Sequence, residues 1–204
     1  MNDVEVVVLD LDGGAMLLEC IDSLARQSSP PRRIIVVDNG SDEPVATRVA
    51  GHRWLFEVTL LRSEENLGFT GGVNLAMQQV TAPFVALINN DVVLDPGWME
   101  SLRRIFDADV RLAAAQSVIR SADGSVDGAG VVIAEGRIVQ QGHGRPIAEL
   151  DPVAPWGVSA TAALFRSAAL RDVAIRDDVL HPAFFAYYED VELAARLAER
   201  GWRV

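Results

Sequence analysis

The sequence predicts an α/β protein built on a doubly wound, mostly parallel sheet with helices on both faces and an irregular second half. Three observations carry this reading. Short β-branched runs recur, amphipathic stretches separate them, and the alternation stops after Ile119, where glycines take over. The runs Val4 to Leu9, Ile34 to Val37, Val58 to Leu61, Phe84 to Ile88 and Leu112 to Val118 read as buried strands, because parallel strands covered on both faces are apolar throughout. Met16 to Arg26, Val45 to Gly51, Gly72 to Gln79 and Trp98 to Phe106 carry helical patterns between them. Asp42 ahead of Pro44, and Asp95 ahead of Pro96, each place a capping carboxylate before a proline in the first turn.

Beyond Ile119, glycines from Gly124 to Gly144 punctuate short apolar pieces such as Val131 to Ile133, the pattern of hairpins and loops. Gly142 to Pro155 holds three of the nine prolines and reads as a mobile stretch. A further strand is expected over Val158 to Phe165. A last helix follows from about Val191 to Arg200, with Leu193, Ala194, Ala195 and Leu197 on one face and Gly201 as its C-cap.

At 204 residues, half of them hydrophobic, the chain can bury one sizeable core, and its length favours a single domain over residues 1–204. Acidic residues number 29 against 18 basic ones, and a net charge of −11 with no segregated basic run argues against nucleic acid as a partner. Every basic residue is Arg. Chemistries built on a P-loop, Schiff-base or kinase-type lysine are therefore excluded. The lone cysteine, Cys20, has no internal disulfide partner and sits in a helical pattern as a small buried side chain, which fits a cytoplasmic protein. The N-terminus, Met1 to Glu5, lacks the basic start and apolar run of a signal peptide, and no stretch of about 18 apolar residues predicts a membrane span.

Four stretches carry polar chemistry. Phe84 to Asp91 is an apolar strand that ends in Asn89, Asn90 and Asp91, and polar groups at the carboxyl end of such a strand face the ligand crevice. A carboxylate there suits Mg²⁺ or Mn²⁺, which keep several waters and take their remaining oxygens from a substrate diphosphate; Asp91 taken alone also reads as a turn residue. Ile34 to Ser41 ends in Asp38 and Asn39, able to bond a base edge or ribose hydroxyls, or equally to form an Asx-turn. Asn66 to Asn74 contains Gly68, Gly71 and Gly72 just before a helix N-terminus; it suits either close approach to a phosphate or a tight turn. Phe184 to Asp190 leads through aromatics to Glu189 and Asp190. Such carboxylates can serve as a general base, or simply complement the helix dipole.

In this order, Val36 to Ser41, Asn66 to Gly72, Asn89 to Asp91 and Tyr188 to Leu193 resemble the inverting, metal-dependent family 2 glycosyltransferases with the GT-A fold, especially bacterial members that build rhamnose-containing polysaccharides. The resemblance implies a hexosyltransferase-type enzyme of cell-wall or cell-surface polysaccharide synthesis. Residues 1–118 would bind a dTDP- or UDP-sugar and residues 119–204 a saccharide or lipid-linked acceptor, with peripheral contact at the inner membrane face. It places Asn90 and Asp91 at the family's Asp-X-Asp position with the cation on Asp91. It also places Asp10, Asp38 and Asn39 by the base, Asn66, Gly68, Gly71, Gly72 and Asn74 by the nucleotide and sugar, and Asp190, beside Glu189, as catalytic carboxylate.

Three departures from the family pattern stand out. Asp10-Leu11-Asp12 replaces a stretch with a base-stacking aromatic, and Asn39 stands where an aspartate is frequent. The chain also stops at Gly201 to Val204, where a further strand and a metal-binding histidine are expected; His52, His143 and His181 all precede the last motif. Two alternatives follow from other classes. One is a catalytically inactive nucleotide-sugar-binding or regulatory domain that keeps the fold. The other, a sugar nucleotidyltransferase, lacks its expected Gly-rich, Arg- and Lys-containing loop after the first strand.

Overall fold

The computed structural model describes residues 3–204; Met1 and Asn2, which open the N-terminal stretch read above, lie outside the described residues. In chain order the elements are β1 (Val4–Asp10), α1 (Ala15–Ala25), β2 (Arg33–Asn39), α2 (Val45–Val49), β3 (Glu57–Ser63), α3 (Gly68–Met77), β4 (Phe84–Asn89) and α4 (Trp98–Ala108). There follow β5 (Ala114–Gln116), β6 (Ile119–Arg120), β7 (Val126–Gly128), β8 (Val131–Ala134) and β9 (Arg137–Gln140). A 3₁₀ turn at Ile147–Glu149, β10 (Ala162–Arg166), α5 (Ser167–Asp172) and α6 (Glu189–Glu199) complete the order.

The central sheet runs β3-β2-β1-β4-β10-β5. The first four of these strands are parallel, β10 is antiparallel to β4, and β5 is antiparallel to β10. Successive side chains of a strand leave on opposite faces, so each strand feeds two cores. Val6, Val8, Ile34, Val36 and Ala86 pack with Leu17 and Ile21 of α1 and Leu102 and Phe106 of α4. Val7, Ile35, Val37 and Leu87 pack on the other face with Val73 of α3, Leu170 of α5 and Leu193 and Leu197 of α6. Gly72 lets α3 lie close to β1, because a Cβ there would collide with Leu9. Two antiparallel pairs, β6-β7 and β8-β9, form the glycine-punctuated segment.

Six expectations need correction. Val58 to Leu61 belongs to an edge strand that is half-exposed rather than buried, because only β2 flanks it. The third helix begins at Gly68 rather than Gly72, so Gly68, Gly71 and Gly72 lie within its first turns and not ahead of them. The fifth strand is only the short edge strand β5, and it is antiparallel, because β10 inserts between it and β4. β10 itself begins at Ala162 rather than Val158. Asp42 does not cap α2: its N–H donates to Asp12 Oδ1, and the Val45 N–H that opens the helix is bonded by Asp38 Oδ2 at 3.0 Å. Asp95 does not cap α4 either. Its exposed carboxylate lies 3.5 Å from Arg120, while Gln27 Oε1 accepts the Met99 N–H. In both places a side chain from a neighbouring element satisfies the helix start, which local spacing cannot reveal. The end of α6 does follow its sequence: Gly201 has φ +72°, and the paired bonds Gly201 N–H to Ala198 O and Trp202 N–H to Leu197 O close a Schellman cap.

Among the described residues no helix is long and apolar enough to cross a membrane. Cys20 is buried and unpaired, with its thiol pushed up to about 12 by burial and by the charges of Asp91 and Asp10.

Asn74 closes the gap between α3 and the segment before α6. Its amide donates to Leu180 O and accepts from Leu180 N–H, each at 2.9 Å. Asn74→Ala would leave both buried backbone groups unpaired, so we predict a loss of about 2–4 kcal/mol in denaturant unfolding. A loss under about 0.5 kcal/mol would show that the pairing is replaceable.

Candidate active site

Strand register brings the polar residues of the first half to one edge. Asp10 pairs with Asp38 across β1 and β2, and Leu9 pairs with Asn89 across β1 and β4, so Asn90 follows beside Asp10. This edge is the carboxyl end of the parallel strands, where ligands of open α/β sheets bind. Asp10 is fully buried; Asn90 Nδ2 donates to its Oδ1 at 2.6 Å, and Arg48 of α2 donates to its Oδ2 at 3.2 Å. Gly13 makes room for this pair, since a Cβ there would collide with both side chains. Asp38 is also buried. Burial opposes its ionisation, but the N–H groups of Val45 and Ser41 and the guanidinium of Arg62 (2.5 Å) outweigh that and hold the carboxyl below its usual range.

Asn39 is buried next to Asp38 and turns the other way. Its Nδ2 donates to Asn66 Oδ1 and Gly68 O, both at 3.1 Å, and its Oδ1 accepts the Leu67 N–H. Asn66 Oδ1 also accepts the Gly68 N–H at 2.8 Å. Gly68 has φ +71°, and a Cβ there would strike Phe185, so only glycine admits the contact between this turn and the loop before α6. Gly71 packs on Leu67, while Gly72 and Asn74 make the helix contacts described above. The structure therefore joins Asp10, Asp38 and Asn90 in one cluster and Asn39, Asn66 and Gly68 in a second.

Asp91 differs from all of these. It is exposed, carries no hydrogen bond or ion pair among the described residues, and lines a cavity of about 660 Å³ together with Trp98, Ser117 and Arg120. Among the described residues no group of three or more His, Cys, Asp or Glu side chains forms a closed metal cage. One unpartnered carboxylate facing open space fits a hard divalent ion that keeps water and substrate oxygens.

Tyr187 and Tyr188 precede α6 with φ +69° and +67°, a left-handed pair that costs non-glycine residues of order 1–3 kcal/mol each. They turn the chain so that Glu189 and Asp190 open α6 on the wall of a second cavity, of about 670 Å³. Burial raises the Asp190 carboxyl above its ordinary range, against the opposing hydrogen bond from the Val191 N–H at 2.8 Å. Burial and the adjacent Asp190 charge raise Glu189, which is 7% exposed and whose Oε2 has no partner. The two cavities meet at Asp127 and Thr161, which line both.

Asp127, Arg48, Arg62 and Gly13 escaped the sequence reading. Asp127 sits between glycine-rich turns and looks like any loop acid, and the two arginines reveal their targets only once helix and strand are packed. Of the histidines, His143 reaches this region, its Nδ1 2.8 Å from Asp127 O and 3.8 Å from Asp127 Oδ1, while His52 stacks on Trp54 and His181 meets Phe184 edge-on.

The sequence model of glycosyl transferase family 2 matches residues 6–173. The chain belongs to glycosyl transferase family 2. It is 30% identical to the pre-mycofactocin glycosyltransferase of Mycobacterium tuberculosis over 216 residues, a match that takes in the whole of this chain but 40% of that protein. It is 26% identical to the N-acetylglucosaminyl-diphospho-decaprenol L-rhamnosyltransferase of the same organism, covering 99% of this chain and 73% of the relative. Among solved structures it shares its fold with the mannosyltransferase PcManGT of Pyrobaculum calidifontis in complex with GDP-Man and Mn²⁺ (TM-score 0.69, 17% identity, 98% of this chain and 53% of that one). S. aureus TarS 1-349 gives a TM-score of 0.68 at 20% identity over 97% of this chain and 55% of that chain. The family 2 chain thus has the GT-A architecture.

The raised Glu189 carboxyl has a thermodynamic consequence. A group whose pKa is higher folded than unfolded contributes most below its unfolded value, and that contribution is lost as pH rises through the folded value. Glu189→Gln should therefore be more stable than the wild type near pH 8, with the gap closing below pH 4.5, the ordinary glutamate value. Parallel unfolding curves at both pH values would check this, and an equal gap at each would contradict it.

Proposed function

We propose that this family 2 chain transfers a sugar from a nucleoside diphosphate sugar to an acceptor hydroxyl with inversion, in the synthesis of a cell-surface glycan. One observation carries the reading: an unpartnered carboxylate, Asp91, and a partly buried one of raised pKa, Asp190, line two cavities that adjoin at Asp127 and Thr161. The solved neighbours are compatible with it, since TarS is solved with UDP and with UDP-GlcNAc, and PcManGT with GDP-Man and Mn²⁺.

In this reading residues 1–118 hold the donor and residues 119–204 face the acceptor. Asp91, set in place by Asn90, would hold a Mg²⁺ or Mn²⁺ ion. Such an ion, when bound, supplies positive charge that stabilises a leaving diphosphate. Asp10, Asp38 and Asn39 lie at the base end of the crevice, mainly by fixing the loops that meet the nucleotide. Asn66, Gly68, Gly71, Gly72 and Asn74 shape the adjoining turn and helix. The acceptor oxygen attacks the anomeric carbon as the bond to the diphosphate oxygen breaks on the opposite face. Its proton passes to the Asp190 carboxylate, and the nucleoside diphosphate departs with the electron pair. Desolvation of Asp190 makes it a stronger base than an exposed aspartate, and its charge in turn raises the carboxyl of Glu189 beside it. Association with the inner membrane face belongs to the same proposal where the acceptor is lipid-linked.

A second reading, a donor-binding domain without turnover, is favoured by Asp10 and Asp38 being neutralised by Arg48 and Arg62 and by exposed Leu11 in place of an aromatic. Thermal-shift screening of UDP, dTDP and GDP with Mn²⁺ separates donor binding from chemistry, since a ligand at 100 times its Kd adds about 2.7 kcal/mol. Transfer reading and inactive reading both require one of these shifts. Only the first requires that Asp190→Asn lower turnover, by about 10²–10⁴-fold, with the wild-type acid limb lying above pH 3.8, the ordinary aspartate value. Unchanged turnover in Asp190→Asn would remove the base from the mechanism.

A further inference from the structure

The cavity beside Asp190 has an unusual balance of walls. Its charged lining groups are three carboxyl side chains, those of Asp127, Glu189 and Asp190, and neither arginine nor histidine lines it. The chain as a whole carries a net charge of −11, and among the described residues only Asp127 of the three has an ionisable basic neighbour, His143, whose Nδ1 lies 3.8 Å from its Oδ1. Glu189 is more than nine-tenths buried, and its Oε2 is left without a partner. The neutral polar groups include two hydroxyls, Ser159 and Thr161, 2.9 Å apart and able both to donate to and to accept from a sugar or alcohol, beside the amides of Asn89 and Gln140.

The opposite wall is apolar. Val131, Ile138 and Val139 of the β8-β9 hairpin line the cavity with Tyr187 and Tyr188. The hairpin register pairs Val131 with Gln140 and Ile133 with Ile138, and side chains two residues apart share a face. The wall therefore continues outward from Val131 to the Ile133–Ile138 pair, whose side chains are left 58% and 42% exposed. An apolar strip that starts at a cavity and runs into solvent is shaped for a ligand body longer than the cavity.

We propose that this cavity takes an uncharged acceptor, with its hydroxyl-bearing headgroup at the carboxyl groups and its apolar alkyl or aryl body along the Ile133–Ile138 face, and that it excludes acceptors with a phosphate next to the reacting hydroxyl. The proposal rests on the transfer reading above and narrows its acceptor. Like charges brought together in a low-dielectric cavity repel strongly, so a phosphate beside Asp127, Glu189 and Asp190 would be rejected, whereas a hydroxyl gains hydrogen bonds.

Calorimetric titration of the metal-free chain with three probes tests this. 4-Nitrophenyl β-glucoside has the apolar body and a neutral headgroup, 4-nitrophenyl phosphate has the same body with a charged one, and glucose has the headgroup alone. The glucoside should bind at least tenfold more tightly than either of the others. Ile138→Asp and Ile133→Asp, both at exposed positions, should reduce the glucoside to the level of glucose. Asp127→Asn should strengthen 4-nitrophenyl phosphate at least threefold. Equal binding of glucoside and phosphate, unchanged glucoside binding in both hairpin variants, or no gain in Asp127→Asn would each overturn the proposal. UDP titrated with Mn²⁺ into the same samples reports on the donor side independently. Failure of the acceptor probes with UDP still bound thus separates this proposal from failure of the transfer reading.

Discussion

At the end of β1 a carboxylate, Asp10, is completely buried, and the organisation of the sheet's carboxyl edge follows from how it is satisfied. Removing an ion from water costs several kcal/mol unless close partners replace the solvent. Asn90 and Arg48 supply them, at 2.6 and 3.2 Å. The first bond ties the end of β4 to the end of β1, and the second draws α2 over the sheet edge. Because Asn90 spends its amide nitrogen inward, the next residue, Asp91, emerges with nothing to bind and faces the cavity. The loop of Gly13 can lie across this pair only because it has no Cβ.

The carboxylates of this protein divide by the same criterion. Glu5, buried at the opposite end of β1, accepts from the N–H groups of Thr81 and Ala82 and is paired with Arg33. Burial opposes its ionisation, yet those bonds prevail and lower its pKa. Asp38 is held in the same way. These groups are structural, because their lone pairs are used. Asp91 lacks partners, Glu189 is buried with Oε2 unpartnered, and the half-buried Asp190 has its carboxyl raised by desolvation, so an incoming cation, proton or hydroxyl would relieve them.

Much of this was legible in the sequence. The strands β1, β2 and β4 announce themselves as apolar runs because both faces are covered, and α4 and α6 as one-sided patterns, whereas the similar run of β3 forms a half-exposed edge strand. The polar residues that end β2 and β4 are visible because polarity breaks an apolar run abruptly. The antiparallel insertion of β10 was not legible, since Ala162 to Arg166 has the same composition whichever neighbour it pairs with. Nor were the helix starts, where Asp38 and Gln27 reach in from other elements and displace the local candidates Asp42 and Asp95. The left-handed tyrosines before α6 defy propensity, and only the surrounding packing selects that conformation. Asp127 became notable only when folding set it between two cavities.

We propose that Asp91, unpartnered beside the Asp10–Asn90 bond, would receive a divalent ion shared with a nucleoside diphosphate. Electron paramagnetic resonance of Mn²⁺ titrated into the protein with and without UDP measures this directly. The account predicts UDP-dependent Mn²⁺ binding in the wild type and a loss of more than about tenfold in affinity in Asp91→Ala. Equal Mn²⁺ affinity in the two proteins in the presence of UDP would contradict it.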